Sequence, residues 1–379
     1  MASKILRRIE AETGFVRLAD VLSYDLAPSD LQSLMLTVYR ARARSVKEAR
    51  LMERGATPLC APSSVDARVL NSFDRVAFSV AAKFDAIELS PVNPLGTNFV
   101  LGGIDTNNVV ATVRNVEVLG DSTPGLALEC ARRRRNRVGD AVRLCSSHRM
   151  IRLQPFDTPG FTPHFRLFAI DSAGRDTGSH AFEIQHLGEH IRFYLELFRA
   201  LNTKGFHMQR PLVELGDVSL AERLLAAAGV DRDKVREGVR AHWSDSGHRL
   251  LAELGVTLPS PVTNPRTELF DIPEPQFSRL CAMKDHVVDP LAAEFPEAQF
   301  RFTPARLEGL GYYTGLCLRI SPEAEDGGRF AVADGGFTDW TARLLQDKKE
   351  RLITSGIGAE FVCRRYRIGE RGDFPLKYS

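Results

Sequence analysis

Apolar residues recur at helical spacing along much of this chain. Between residues 28 and 56, Leu31, Leu34, Leu36, Val38 and Tyr39 form a stripe that predicts a helix or helix pair, capped by Ser29 or Asp30. Its second half is rich in arginine and lysine, which suits the negative end of a helix dipole. Residues 64–84 predict another helix, with Val65, Val69, Phe73, Val76 and Val80 on one face. The run AIELS then predicts a short strand stopped by Pro91. Residues 98–120 are rich in valine, threonine and asparagine and carry Gly102 and Gly103, a pattern that predicts two strands joined by turns. Pro124 fits the first turn of a further helix.

Strands and loops alternate from 141 to 185, where PHFRLFAI is the clearest strand. Leu187, Ile191, Leu195 and Phe198 place a helix over 186–202. Two or three short helices are expected between 217 and 256. Pro259, Pro261, Pro265, Pro273 and Pro275 then mark a connector at the edge of a helical insertion, before a helix over 275–294. The glycine-rich segment 299–363 reads as strands. This order lacks regular β-α-β alternation, so an α+β fold on an antiparallel sheet is expected rather than a parallel one.

Composition narrows the function classes. Hydrophobic residues are 44% and charged residues 26% of 379, the balance of a soluble globular protein of about two domains. Lysine plus arginine is 50 against 48 acids, so nucleic-acid binding would need a local patch. The opening MASKILRRIEAETGF has no apolar signal-peptide core, and no run approaches the length of a membrane span. The six cysteines form no C-x-x-C pair. Reduced thiols, a cytoplasmic location, no membrane and no structural metal are therefore expected.

Candidate chemistry comes next. There is no P-loop, and GLGYYTG has glycines at the wrong spacing for a dinucleotide fingerprint. His186, Glu189 and His190 match H-x-x-E-H, which suits zinc on one helix face; Gly188 interrupts that helix, and the plainer alternative is an exposed helix start. Arg132, Arg133, Arg134, Arg135 and Arg137 begin a stretch reaching Arg152 with one acid, Asp140. It suits phosphate or RNA, or simply a solvated helix end. Two antiparallel strands would bring Arg149 and Arg166 to one sheet surface as an anion clamp, or as surface arginines paired with acids.

RMIRLQ…HFRLF resembles motif 2 of class II aminoacyl-tRNA synthetases. LEGLGYYTG resembles the histidine-binding signature R-G-L-D-Y-Y-T-G of histidyl-tRNA synthetase, DGGFTDW its G-G-R-Y-D turn, and SGIGAEF motif 3. Asp121-Ser-Thr123 resembles the Glu-x-Thr that holds the ligand's amino group, and Pro91 the motif 1 proline of the dimer interface. The matches run in the family's order over residues 64–363. They imply a six-stranded antiparallel sheet flanked by helices, a homodimer, and a pocket for a nucleotide and a small amino-acid-like ligand. The implied division is an N-terminal helical extension (1–63), a first core part with motifs 1 and 2 (64–205), a mostly helical insertion (206–298), a second core part (299–363) and a tail (364–379).

On this resemblance Arg149 and Arg166 are the candidate catalytic groups. Arg149, Arg152, Arg166 and Glu360 would bind nucleotide, ATP with Mg. Asp121, Thr123, Glu308, Tyr312, Tyr313, Gly335 and Gly336 would bind the ligand. The chain departs from the pattern where Glu308, Phe361 and Phe337 replace arginines and Gly311 replaces an aspartate; Arg306 and Arg329 are candidates to compensate. It ends about sixteen residues after motif 3, which leaves no room for an anticodon-binding domain. The function expected first is a ligase that activates a carboxylate as an adenylate; the alternatives are a non-catalytic regulatory paralog resembling the regulatory subunit of ATP phosphoribosyltransferase and acting on a partner protein, and an RNA or tRNA binder using Arg132–Arg137.

Overall fold

Among the described residues ten strands form, in chain order: β1 (Asp85–Ala86), β2 (Val92–Pro94), β3 (Val116–Val118), β4 (Val142–Ile151), β5 (His164–Arg175), β6 (Gln209–Asp217), β7 (Gln299–Phe302), β8 (Leu316–Glu323), β9 (Ala333–Thr338) and β10 (Glu350–Ile357). The structure is a computed structural model that describes residues 2–55, 57–136, 139, 141–154, 162–232, 234–236, 251–256, 259–268, 274–304 and 306–368. Among these residues β2 pairs with β3, and the other eight strands make one sheet in the order β1-β4-β5-β10-β9-β8-β6-β7. The six from β4 to β6 in that order are antiparallel throughout. The expected six-stranded antiparallel sheet is therefore present, extended by short parallel edges at β1 and β7.

The helices are α1 (Ala2–Thr13), α2 (Pro28–Arg44), α3 (Glu48–Gly55), α4 (Ala67–Val80), α5 (Ser122–Asn136), α6 (Ala181–Asn202), α7 (Val218–Ala227), α8 (Gln276–Met283, continued by Lys284–Val288 and Asp289–Glu294), α9 (Trp340–Leu345) and α10 (Ala359–Arg365). One sheet face is covered by α4, α6, α8 and α10, with Phe73, Phe168, Ile170, Phe198 and Val362 buried between them. The other face carries α5 and α9, with Leu126, Cys130, Ala169, Ala173 and Trp340 buried. A third cluster joins α7 (Val218, Ala221, Leu225) to Leu307, Leu310 and Tyr313.

Several elements differ from the sequence pattern. The 28–56 stretch is the helix pair α2 and α3, and α2 begins with Pro28 after Ala27, without a side-chain cap from Ser29 or Asp30. Only Asp85 and Ala86 of the region around AIELS join the sheet. Residues 98–120 hold one strand, β3, not two. The other partner is reduced to a single antiparallel bridge at Ala111–Glu117, flanked by Val118 N–H to Val110 O (2.9 Å) and Thr112 N–H to Val116 O (3.0 Å). Glu117 also accepts from Gly96 N (2.9 Å) and Asn98 N (2.6 Å), and Asn98 bonds Val118 O and Gly120 N. Segment 206–298 is not helical alone, because β6 lies inside the sheet between β8 and β7. Of the residues 217–256 expected to hold short helices, 237–250 lie outside the described residues, as do Pro273 and 369–379 of the tail.

Gly188 does not break α6, whose 22 residues bury Leu187, Ile191, Tyr194 and Phe198; packing outweighs the roughly 1 kcal/mol a helical glycine costs. The H-x-x-E-H residues on this helix are spent internally. Glu189 bonds Arg143 (2.9 and 3.0 Å) and His186 (2.9 Å). Burial alone would raise its carboxyl, but His186, Arg143 and Gln185 hold it below the usual range. His190 is fully buried between Ser172 (3.1 Å) and Ser355 (2.8 Å). Burial, aided by the charge at His186, pushes its imidazole down to about 3.

An unfolded histidine titrates near 6.5, so the unfolded chain binds this proton first. Stability is then fully present above that value and is lost as pH falls toward 3, by several kcal/mol. Urea unfolding of wild type and His190→Gln from pH 7 to 4 checks this: the variant should lose much less stability over that range. Parallel curves would mean that His190 charges in the folded state.

Candidate functional site

The pleat of the β4–β5 hairpin decides which residues can meet. Its register sets Arg149 opposite Arg166 and Met150 opposite Phe165, and opposed residues share a face while neighbours along a strand do not. Arg149 and Arg166 therefore do share a surface, as expected from the sequence. That surface is the one covered by α4 and α10. Arg149 Nη1 lies 2.9 Å from Glu360 Oε2 and 2.9 Å from His164 Nδ1. Arg166 pairs with Asp74 of α4 and donates its backbone N–H to Glu360 (3.2 Å). Glu360, 2% exposed, also accepts from Arg364 (2.8 Å) and Ser63. This trio of expected nucleotide contacts is thus one internal ion network.

Of the remaining expected residues, Asp121, Thr123, Arg152 and Tyr312 gather on the opposite face, at the N-terminus of α5; Glu308, Tyr313, Gly335 and Gly336 lie elsewhere. Thr123 donates N–H (3.0 Å) and Oγ1–H (2.8 Å) to Asp121 Oδ1. Its hydroxyl proton being so used, the Tyr312 hydroxyl 2.8 Å away donates to Thr123 Oγ1. Arg152 donates to Asp121 Oδ2 (2.7 Å) and Gly120 O (2.6 Å), with its guanidinium 5.7 Å from the Phe165 ring centroid. Burial pushes the Tyr312 and Tyr313 phenols well up, so both stay protonated.

The sequence did not single out Asp171. It stands on β5 in register with Leu144 of β4 and Thr354 of β10, and it is fully buried. Thr354 donates to its Oδ1 at 2.6 Å, while Oδ2 makes no hydrogen bond. Burial pushes its carboxyl far up, reinforced by the nearby charge of Asp121 and against the Thr354 bond. A buried carboxyl with a raised pKa thus lies near Asp121 and near Tyr312, to whose own shift it contributes. Its sequence signal was an isolated acid within the apolar run FRLFAIDSA.

Gly335 and Gly336 act through their missing side chains. A Cβ on Gly336 would stand 2.8 Å from Tyr313 Cδ1 and from Cys317 Cβ; one on Gly335 would meet Ser355 Cβ at 2.3 Å. Tyr313 is buried among Leu307, Leu310 and α7 rather than in the pocket. Gly311 has φ +74°, which explains why a side-chain-bearing residue is disfavoured there.

Glu308 is 3.1 Å from Arg319 and 3.9 Å from Arg306. Burial would raise its carboxyl, but these two arginines hold it below the usual range. Arg306 itself is buried, clamped by both oxygens of Asp334 (2.9 Å) and by Leu318 O (3.0 Å). Arg329 bonds Arg210 O and Glu323, at the far end of β8. Phe337 packs near Phe182, and Phe361 against Phe330, their ring centroids 6.4 and 5.9 Å apart. Three members of the Arg132–Arg137 cluster are tied to acids. Arg132 and Arg133 hold Glu129, whose carboxyl falls to about 2 chiefly through the Arg132 hydrogen bond, and buried Arg134 clamps Glu350 at 2.7 and 3.0 Å. Arg137 lies outside the described residues.

Asp171→Asn tests the buried acid. An unfolded aspartate ionises near 3.8, so wild type loses stability as pH rises from there toward its raised folded value. Asparagine keeps the acceptor for Thr354 and cannot ionise. The variant should therefore gain stability relative to wild type between pH 4 and pH 8 in denaturant titrations. A difference that does not change with pH would mean that Asp171 is charged in the fold.

No protein-family model matches the sequence, and no curated protein matches it. Solved structures do match. An ATP phosphoribosyltransferase regulatory subunit/histidyl-tRNA synthetase from Bacillus halodurans is similar at TM-score 0.64 and 13% identity, over 81% of this chain and 82% of that one. Histidyl-tRNA synthetase from Nostoc sp. PCC 7120 is similar at 0.60 and 15%, over 81% and 73%. A histidine–tRNA ligase subunit from Alicyclobacillus acidocaldarius is similar at 0.59 and 15%, over 80% and 95%. The fold is that of the class II aminoacyl-tRNA synthetases, in its histidyl-tRNA synthetase-like form.

Proposed function

We propose that this chain is a non-catalytic regulatory paralog that binds a small amino-acid-like ligand and acts on a partner protein. The observation that carries this is the split of the expected site residues between two sheet faces. Asp121, Thr123, Tyr312 and Arg152 are assembled on one face, where Arg152 is paired with Asp121 at 2.7 Å; a ligand's ammonium and carboxylate would take the place of that pairing on Asp121 and Arg152 respectively. Asp171, buried beside them with one unpartnered oxygen, suits the polar or basic end of a ligand side chain. Arg149 and Arg166 are spent on the other face, and Phe361 occupies the motif 3 arginine position. Losing a preorganised cation costs transition-state stabilisation of a few kcal/mol. The printed description of the Bacillus halodurans structure supports a regulatory role and makes a phosphoribosyltransferase the first partner to try.

A second reading, an ATP- and Mg-dependent ligase, is favoured by Arg152, which does face the ligand side and could meet an α-phosphate. RNA binding has less support, since Arg132, Arg133 and Arg134 are paired with acids.

Calorimetry with the standard amino acids, histidine first, and with ATP plus Mg separates these readings. Binding of an amino acid is expected, weakened at least about tenfold by Asp121→Asn, without pyrophosphate exchange. ATP binding with exchange for any acid, both lost in Arg152→Ala, would establish the ligase instead. No amino-acid binding would overturn the pocket itself.

A further inference from the structure

From Lys4 to Val69 no described residue is buried, although the stretch holds α1, α2, α3 and the start of α4. Helices of this length are marginal in water unless an apolar face is covered. This arm is fixed to the core at its root, where Ala61 O lies 2.7 Å from His164 Nε2 and Ser63 donates to Glu360. Its side chains indicate what covers the rest.

The arm departs from the way the chain uses arginine elsewhere. From Arg68 onward nearly every described arginine has a carboxylate or carbonyl partner, as Arg134, Arg143, Arg279 and Arg351 do. Arg40, Arg42, Arg44, Lys47, Arg50 and Arg54 are all exposed, and their side chains have no such partner among the described residues. Residues 40–54 hold only two acids, Glu48 and Glu53, and the arm's earlier acids all lie at or before Asp30. Six cations against two acids, left without counter-charges on one exposed stretch, call for an anionic partner.

The helical period decides which kind. On α2, Leu34, Val38 and Ala41 form one stripe, and Arg42 and Arg44 fall on its two sides. Leu34 is 43% and Val38 39% exposed. On α3, Leu51 and Met52 are 59% and 83% exposed, and Arg54 neighbours Leu51 at i+3. Exposed aliphatic side chains add nothing to a phosphate contact, and nucleic-acid bases stack on aromatics, of which 40–54 has none. A lipid surface uses both parts. Its acyl boundary takes the aliphatic stripe, and the arginine stems reach back to the headgroups.

We propose that α2 and α3 lie on an anionic lipid surface and dock this protein there peripherally. Roughly four to eight cations on an amphipathic helix suffice for anionic bilayers, and six are present here. No helix among the described residues is long and apolar enough to cross a membrane, so the arm rests in the plane of the interface. The contacts of Ala61 and Ser63 then tie the core to that surface.

Co-sedimentation of the full chain with lipid vesicles tests this. Binding is expected to phosphatidylcholine vesicles containing about one-third phosphatidylserine but not to phosphatidylcholine alone, and it should fall steeply between about 0.1 and 0.5 M salt. Arg42→Glu with Arg44→Glu, and separately Val38→Asp with Met52→Asp, should each weaken it at least about tenfold. The thermal melt of the core should not move, because all four side chains are exposed. No binding to the anionic vesicles, equal binding to neutral ones, or binding unmoved by either pair of substitutions would overturn the proposal. Vesicle binding replaced by binding of a single-stranded RNA, lost with the arginine pair and kept with the Val38 and Met52 pair, would give the segment to RNA instead.

Discussion

Everything in the site depends on the alternation of side chains across the β4–β5 hairpin. The Arg149–Arg166 register sends one set of residues toward α4 and α10 and the other toward α5. A slip of one residue would reverse both sets. Burial holds the register in place: Phe168 and Ile170 pack on one side of β5, Ala169 and Ala173 on the other. The polar residues follow the apolar ones. Asp171 is carried inside because its neighbours along the strand are fixed there, and burial at that position is what raises its carboxyl pKa.

The parts of the site legible in the sequence were those set by backbone geometry. Gly309 and Gly311, both at positive φ, and Gly336, whose missing Cβ admits Tyr313, leave a spacing that no other residue type reproduces. Asp121 and Thr123 were legible for a similar reason, since the acid at a helix start accepts from the residue two positions on. Arg149 and Arg166 could be placed on one surface but not on a particular side of the sheet. That side depends on which helices cover it, a tertiary fact with no local signal. Strand β6 was illegible because its sequence, QRPLVELGD, sits between helical stretches and contains a proline. Of the two strands expected over 98–120, β3 forms and the other is only a bridge at Ala111, while the residues before it turn around Asn98 and Glu117, which bind backbone groups themselves.

The arginine content likewise belongs mostly to the fold. Arg134 with Glu350 ties α5 to β10, Arg143 with Glu189 ties β4 to α6, and Arg306 with Asp334 ties the loop before β8 to β9. Each joins elements distant in sequence, and two of these arginines are nearly fully buried. Such pairs contribute little net stability, because desolvation offsets attraction, but breaking one leaves a stranded charge. Near-equal counts of bases and acids are what this use of arginine requires. A run such as RRRR therefore marks a helix braced by acids here, even though it has the composition of a phosphate-binding patch.

One loop links the N-terminus of α5 to α7. Tyr312 and Tyr313 are adjacent, with ring centroids 4.9 Å apart and planes at 82°. Tyr312 reaches Thr123 and packs on Trp340, while Tyr313 is enclosed by Leu307, Leu310 and the α7 residues Val218 and Ala221. Gly309 and Gly311, both left-handed, precede the two tyrosines. The same loop that carries Tyr312 to Thr123 therefore carries Tyr313 into the packing of α7.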